Sequence, residues 1–492
     1  MTETAKKKRG MPSSFTILLA LLAIVAVITV IVSGTSGGAV TAARLSDFCT
    51  APILGFADAL PVCLFVMILG GFLGMMTETG ALDNGIAVLV QKLKGNEIML
   101  IPVLMLIFSL GGTTYGMCEE TVPFYALLAA TMMAAGFDPM VGAATVLLGA
   151  GCGCLGSTVN PFAVGAAVDA LTGVDIAVNQ SIIIGLGAVL WIVTTVMSIV
   201  FVMNYAKKVK ADKGSTILSM QELKDAEEAH GKAASEVHKE VKLTGRQKGV
   251  LIAFAFTFVV MIVGFIPLAD LNEGVANFFD AGAVYDADGN TVVQGWSALI
   301  TGLPIGQWYF DEASTWFFLM AILIGIIGGL SEKQIVNTFI TGAADMMSVV
   351  LVIALARGIS VLMANTGLDV YVLDAAANAL AGLSGVIFAP MSFLVYFGLS
   401  FLIPSTSGMA TVSMPIMGPL AVKLGFSPEV MVMIFSAAIG VVNLFTPTSG
   451  AIMGGLALAK IEWTTWLKFA LKLIVALSVV CAVILTVACV LI

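Results

Sequence analysis

Apolar residues in this chain run in long unbroken blocks rather than in the two-residue alternation of a half-buried strand. Nine blocks, at residues 14–33, 53–76, 140–173, 182–203, 250–269, 315–330, 346–364, 429–459 and 466–491, come near or exceed the ~20 residues that carry a helix across a bilayer. The pattern predicts an all-α polytopic membrane protein. Two further apolar stretches read differently. Residues 98–110, 13 in number, span about 20 Å as a helix at ~1.5 Å per residue, short of a ~30 Å hydrocarbon core. They lead into Gly111-Gly112-Thr113-Thr114-Tyr115-Gly116-Met117-Cys118-Glu119-Glu120-Thr121-Val122, and a second short apolar leg starts at Pro123. This predicts a re-entrant hairpin over 98–135 with its tip in the membrane. A second one is predicted over 386–424, through Pro404-Ser405-Thr406-Ser407-Gly408.

The two halves carry matching motifs. Thr79-Gly80-Ala81-Leu82-Asp83 answers Thr366-Gly367-Leu368-Asp369, and T-x-G-M-x5-P occurs at both Thr114 and Thr406. Gly136-Phe137-Asp138-Pro139 answers Gly425-Phe426-Ser427-Pro428. Eighteen residues after each of those prolines stands a polar break, Ser157-Thr158-Val159-Asn160-Pro161 in one half and Thr446-Pro447-Thr448-Ser449-Gly450 in the other. The offsets, 287, 292, 289 and 289 residues, are nearly constant, as an internal repeat requires. Each break should split its helix, over 140–173 and over 429–459. Backbone freed inside a bilayer persists where it lines a cavity or binds a ligand.

Charge adds orientation. Lys and Arg concentrate at residues 6–9, at Lys92 and Lys94, at ten positions between Lys207 and Lys248, and at Lys333 and Lys460. Asp270, Glu273, Asp280, Asp286, Asp288, Asp311 and Glu312 fill a loop at 270–312 that has no basic residue. The positive-inside rule then places the N-terminus (1–13) in the cytoplasm and the C-terminus outside, in a cell inner or plasma membrane. The first half (14–205) and the second (250–492) are joined by a polar cytoplasmic linker, 206–249, read as a solvated helix or plain tether. The two hairpins enter from opposite sides, so the repeat is inverted. Inverted repeats with interrupted helices point to a secondary transporter with its site near the midplane.

Composition removes other chemistries. At 59% hydrophobic and 11% charged, with 31 acidic against 23 basic residues, the chain offers no nucleic-acid footprint. Its two histidines, His230 and His238, both fall in the linker, and there is no G-x-x-x-x-G-K-[ST] phosphate loop. Cys152 and Cys154 read as helix-packing residues rather than metal ligands. Nothing calls for an enzyme, and an ion channel fits the interrupted, duplicated helices less well than alternating access.

The candidate substrate site is the set of groups at the tips and breaks: Thr114, Gly116, Glu119, Glu120, Ser157, Thr158, Asn160, Arg357, Ser405, Thr406, Ser407, Asn443, Thr446, Thr448 and Ser449. Glu119 and Glu120 lie in a stretch with no Lys or Arg from Gly95 to Ala206. Three uses are open to them: binding a cationic substrate group, carrying a coupling proton, or a structural ion pair. Arg357, deep in its block, either binds a substrate carboxylate or pairs with Glu119 or Glu120. Ser157, Asn160, Thr446 and Ser449 also offer oxygens for Na⁺, so Na⁺ or H⁺ coupling are both open; no other cofactor is implied.

At these motifs the chain resembles the YfcC family, related to anaerobic C4-dicarboxylate carriers and arginine/ornithine antiporters of the ion transporter superfamily. The resemblance rests on residues 116–125 and 156–162, on Ala356-Arg357-Gly358-Ile359, on Ser405-Thr406-Ser407-Gly408 with Met414-Pro415, and on 443–450. It implies a homodimer with a fixed scaffold and a moving transport domain, an elevator mechanism, and a substrate held by hairpin tips and broken helices. The chain departs from the family pattern at 438–442, where a polar Gly-Asp-Gly-like stretch is expected, and at Ala364-Asn365-Thr366, where an acidic pair is usual. The expectation is therefore a small-molecule transporter, with a basic amino acid favoured and a C4-dicarboxylate as the alternative.

Overall fold

The computed structural model describes residues 14–492 except 83, 86, 87, 89–95, 237–241, 267, 287–290 and 404. The basic cluster at 6–9, together with Asp83, Lys92, Lys94, His238, Lys239, Asp288 and Pro404, lies outside the described residues. The first half comprises α1 (Ser14–Ser33), α2 (Leu45–Asp58), α3 (Leu60–Glu78), α4 (Leu100–Tyr115, led by the 3₁₀ turn Glu97–Met99), α5 (Val122–Ala134), α6 (Pro139–Leu155), α7 (Ala166–Thr172, led by the π turn Pro161–Gly165) and α8 (Gln180–Ala211). The linker carries α9 (Met220–Glu236). The second half comprises α10 (Gly245–Phe265), α11 (Leu268–Leu271), α12 (Glu273–Phe279), a two-stranded antiparallel ribbon of β1 (Val284–Tyr285) and β2 (Thr291–Val293), α13 (Phe310–Gly328), α14 (Glu332–Asp345), α15 (Met347–Thr366), α16 (Leu368–Leu380), α17 (Gly385–Leu402), α18 (Thr406–Lys423), α19 (Pro428–Val442), α20 (Gly450–Leu458) and α21 (Trp463–Leu491). Among the described residues eight helices, α1, α3, α4 with its lead turn, α8, α10, α13, α15 and α21, are long and apolar enough to cross a membrane. The protein is a mostly helical, multi-pass membrane protein.

Three expectations need correction. The block at 53–76 is not one helix: α2 ends at Asp58, Ala59 leaves helical geometry at φ −92°, ψ 9°, and Pro61 opens α3. A proline in a helix's first turn costs nothing because its missing N–H would be unpaired there. The leg predicted to stop at 110 runs on to Tyr115, so 97–115 is 19 residues and long enough to span by length and composition. Gly111-Gly112-Thr113-Thr114 stays helical for two reasons. Thr114 Oγ1 bonds back to the Leu110 carbonyl at 2.7 Å, and Gly112 packs so closely on α6 that a Cβ there would stand 2.2 Å from the Ala150 carbonyl oxygen. The linker is the third case. Its helix α9 is docked, not free: the buried Glu222 carboxylate accepts from Ser219 N (2.7 Å) and Glu462 N (3.0 Å), and His230 Nε2 meets the Leu458 carbonyl at 3.1 Å. Polar composition hid this because these bonds run to a backbone amide 240 residues away and a backbone carbonyl 228 residues away.

Packing sorts the helices into two groups. In one, α2 lies along α15 and α14 along α3, with α1, α10 and α13 around them. Glycines set the two closest crossings. A Cβ on Gly55 would stand 2.3 Å from Gly358 N, and one on Gly70 2.4 Å from the Gly342 oxygen. In the other group α4, α5 and α8 surround α6, while α17, α18 and α21 surround α19, and α6 meets α19 at the centre. Both of these central helices are buried along nearly their whole length. The groups meet where α20 crosses α15 and α16 touches α18.

Candidate functional site

Four chain ends converge between the groups. The helix α6 stops at Leu155 and the chain resumes at Pro161; α19 stops at Val442 and the chain resumes at Gly450. The turn between α4 and α5, residues 116–121, lies against the first break, and the N-terminus of α18 lies near the second. Short polar caps make this possible. Asn160 Oδ1 accepts from Phe162 N (2.9 Å) and Ala163 N (3.4 Å), and its Nδ2 donates to Ser157 Oγ at 2.9 Å. Ser405 Oγ accepts from Gly408 N at 3.1 Å and starts α18. Gly116 ends α4 in the left-handed region at φ +77°, and a Cβ there would sit 2.6 Å from Asn160 Oδ1. Only glycine lets this tip close on the break.

A cavity of about 160 Å³ opens among these ends. A water occupies ~10–15 Å³ of such space, so the cavity holds a small polar solute with some hydration. Of the residues singled out from sequence, Gly116, Glu119, Glu120, Asn160, Arg357, Ser405, Thr406, Ser407, Asn443, Thr448 and Ser449 line it. Four do not. Thr114 is turned back on its own helix, and Ser157 Oγ donates to the Cys154 carbonyl at 2.6 Å. Thr158 Oγ1 donates to the Thr113 carbonyl at 3.0 Å, tying the break to α4. Thr446 Oγ1 shares a 2.7 Å hydrogen bond with Thr448 Oγ1. These hydroxyls hold the breaks open rather than face the cavity, because freed backbone inside a membrane takes the nearest polar group.

The charged residues are distributed unequally. Arg357 pairs neither with Glu119 nor with Glu120: its Nε donates to Asp58 Oδ2 at 2.9 Å. Asp58 escapes a sequence reading because it sits inside an apolar block, and only the α2–α3 break presents it. Glu119 is half-buried and faces the cavity. Glu120 is 2% exposed, and its Oε2 accepts from Cys118 N at 3.0 Å, which closes the tip turn. Neither glutamate forms an ion pair among the described residues.

Two further features come from the three-dimensional arrangement. Ser436, in the middle of α19, is 2% exposed and lines the cavity, and its hydroxyl has no hydrogen-bond partner among the described residues. Elsewhere in the lining Phe162 stacks on Phe310 with centroids 5.1 Å apart, joining the first break to the start of α13. A serine inside an apolar helix gives no sequence signal beyond its polarity; Phe162 at least follows the Asn160-Pro161 break. Cys152 and Cys154 pack as helix residues do: one thiol contacts Ser198 Oγ at 3.0 Å and the other donates to the Met117 carbonyl at 3.4 Å.

Comparison with known proteins adds relatives along most of the chain. Residues 40–490 match the model of the DcuC family, described as C4-dicarboxylate anaerobic carrier. An uncharacterized protein of Haemophilus influenzae is 28% identical over 445 residues, covering 90% of this chain and 78% of that protein. A protein of Escherichia coli K12 named "Putative basic amino acid antiporter YfcC" is 27% identical over 440 residues, covering 87% of this chain and 77% of that protein. Among solved structures, Neisseria gonorrhoeae MtrF, described with a class of antimetabolite efflux pumps, superposes with TM-score 0.46 at 16% identity over 98% of this chain and 96% of its own. The Alcanivorax borkumensis YdaH transporter does so with TM-score 0.46 at 15% identity over 97% and 98%.

Proposed function

Because the chain belongs to the C4-dicarboxylate anaerobic carrier family, a family of transporters and not of enzymes, we propose that it is a secondary active transporter of a small amino acid. Its cargo in this reading is a basic amino acid of the arginine type, exchanged or imported. The observation that carries the choice is the pair of facts about charge. Glu119 faces the cavity in no ion pair among the described residues, and Arg357, whose charge reaches Glu119, is itself ion-paired with Asp58. A carboxylate at membrane depth needs a compensating cation, and the substrate can supply it. Ser405, Thr406, Ser407, Asn443, Thr448 and Ser449 would then meet the α-carboxylate and α-amino groups. The name of the Escherichia coli relative agrees with this reading.

An elevator form of alternating access, in a homodimer, is part of the proposal. The group around α6 and α19 would be the moving body and the group around α2, α3, α14 and α15 the fixed one. An inverted repeat is supported by the glycine crossings: Gly55 and Gly342 stand 287 residues apart, the offset that separates Thr79 from Thr366, and each packs on the partner helix of the other half. In this reading the N-terminus and α9 face the cytoplasm and the C-terminus faces outside.

The second reading is a C4-dicarboxylate carrier coupled to Na⁺ or H⁺, favoured by the description of the family. It would need Arg357, Ser157, Asn160 and Ser407 for carboxylates. Ser157 lies off the cavity, and Asn160 has both ends of its amide engaged. Proteoliposomes preloaded with unlabelled substrate separate the readings. Labelled arginine should enter by counterflow and labelled succinate should not; the reverse result replaces the first reading with the second. Stoichiometric counterflow also excludes a channel.

A further inference from the structure

Glu119 and Glu120 are neighbours in sequence but occupy different surroundings. Glu119 is half-buried at the cavity wall, whereas Glu120 is 2% exposed and folded back so that Oε2 accepts from Cys118 N at 3.0 Å. Backbone amides, that of Cys118 and its own, are its hydrogen-bond partners, and they do not compensate a full negative charge taken out of water. Among the described residues, the groups that act on it supply no positive charge. Titratable neighbours on its own turn and on the adjoining helices are Glu119, Cys118, Cys154, Tyr115 and Tyr125. Tyr115 is 1% exposed, and its hydroxyl has no hydrogen-bond partner among the described residues. Arg357, the basic side chain of the cavity wall, is held by Asp58 at 2.9 Å. Glu120 also lines the cavity, so water in the cavity can reach it.

From this geometry we infer that Glu120 is a proton-binding site, and that transport exchanges a proton for the cationic substrate. The inference rests on the basic amino acid reading above and adds a coupling ion to it. Two adjacent carboxylates in a nearly dry tip share one compensating positive charge more readily than they hold two negative ones. With the cavity empty of substrate, the proton on Glu120 supplies that charge. When the cationic side chain of the substrate reaches Glu119, it supplies the charge instead, and the Glu120 proton leaves to cavity water. The cation and the proton therefore compete for one site of negative charge and travel in opposite directions. No bond to carbon is made or broken, and the charge of the tip is the same in both loaded forms.

The test uses the full chain in proteoliposomes with a pH-sensitive dye inside, arginine as the probe, and the protons moved per arginine as the readout. The wild type should move protons outward from the lumen as arginine enters, in fixed ratio. Glu120→Gln should bring that ratio to zero whatever its rate of arginine movement. A wild type that moves arginine with no proton, or an E120Q variant that keeps the wild-type ratio, overturns the inference. A second measurement needs no transport. Infrared difference spectra of the substrate-free protein between acid and alkaline pH should contain a protonated-carboxyl band that E120Q lacks, and the same band in E120Q refutes the site. Absence of arginine counterflow in the wild type rejects the basic amino acid reading, while the infrared band still decides the proton site.

Discussion

The two turns predicted as hairpin tips share a sequence frame, T-x-G-M-x5-P, and differ in what fills it. The first places Glu119 and Glu120 between its glycine and its proline; the second places Ala410, Thr411, Val412 and Ser413 there. Their backbones differ as well. The first tip ends α4 on a left-handed glycine and needs a one-turn 3₁₀ segment, Glu119–Thr121, before α5 begins. At the second, α18 starts four residues after the end of α17, with Ser405 as a simple N-cap. One frame has thus become a charged turn on one side and a neutral helix N-terminus on the other. The positive end of a helix dipole favours an anionic group and a carboxylate favours a cation.

The largest effect should come from removing the charged half of this contrast. Glu119→Gln should weaken arginine binding by about 30-fold or more, taking ~2 kcal/mol as the low end for breaking a buried charge pair. Titration of arginine in a thermal-shift assay reads it, and unchanged arginine binding would mean that the charge of the first tip does not face the cargo. The glycines come next. Gly116→Ala forces a side chain into the left-handed region, at ~1–2 kcal/mol, and against the Asn160 amide 2.6 Å away. Gly408 has an ordinary helical backbone, and an added Cβ would meet the Ser405 Oγ at 2.8 Å, a side chain that can turn aside. Turning the Ser405 side chain aside gives up its cap to Gly408 N, so Gly408→Ala should cost no more than that cap, ~1 kcal/mol, and Gly116→Ala should lower the unfolding temperature further. Equal losses would show that the two tips are held alike. Ser405→Ala, which removes the N-cap of the second tip, should cost ~1 kcal/mol in the same assay without touching any charge.

Legibility in the sequence followed the same contrast. Helix breaks announce themselves through proline, glycine and clustered hydroxyls, so the convergence of residues near 116, 160, 405 and 443 could be anticipated from spacing. Which hydroxyl faces the cavity could not. Ser157 and Ser449 stand in equivalent polar breaks, yet only Ser449 lines the cavity, because the first is taken up by the Cys154 carbonyl and the Asn160 amide. Asp58 and Ser436 were hidden for a different reason. Each is a single polar residue in an apolar run, and its meaning lies in a partner or a void contributed by a distant segment. Apolar length likewise could not fix where α4 stops, since a Gly-Gly-Thr-Thr run stays helical when α6 packs against it.

The smallest effect concerns what braces each hairpin. The exit leg of the first, α5, carries the linker helix α9 on its surface, whereas the exit leg of the second, α18, packs on α7, α16 and α19. On α9, burial pushes the His230 imidazole below its usual range; its contact with the Leu458 carbonyl opposes this and the Lys460 charge adds to it. A histidine with a depressed value binds fewer protons when docked than when free, so stability of the docked helix rises with pH across that window. The His230 contribution is fully present above the free value of ~6.5 and is lost as pH falls below it toward the lower docked value. Amide exchange along residues 220–230, corrected for its intrinsic pH dependence, should therefore be better protected at about pH 7.5 than at about pH 5.5, on either side of ~6.5. His230→Gln, which keeps a polar group but takes no proton, should flatten the difference. Exchange in α18 should show no such pH dependence in either protein. Acid loosening of α9 that survives in H230Q would place the sensitivity elsewhere and leave the two hairpins braced by different means but equally indifferent to pH.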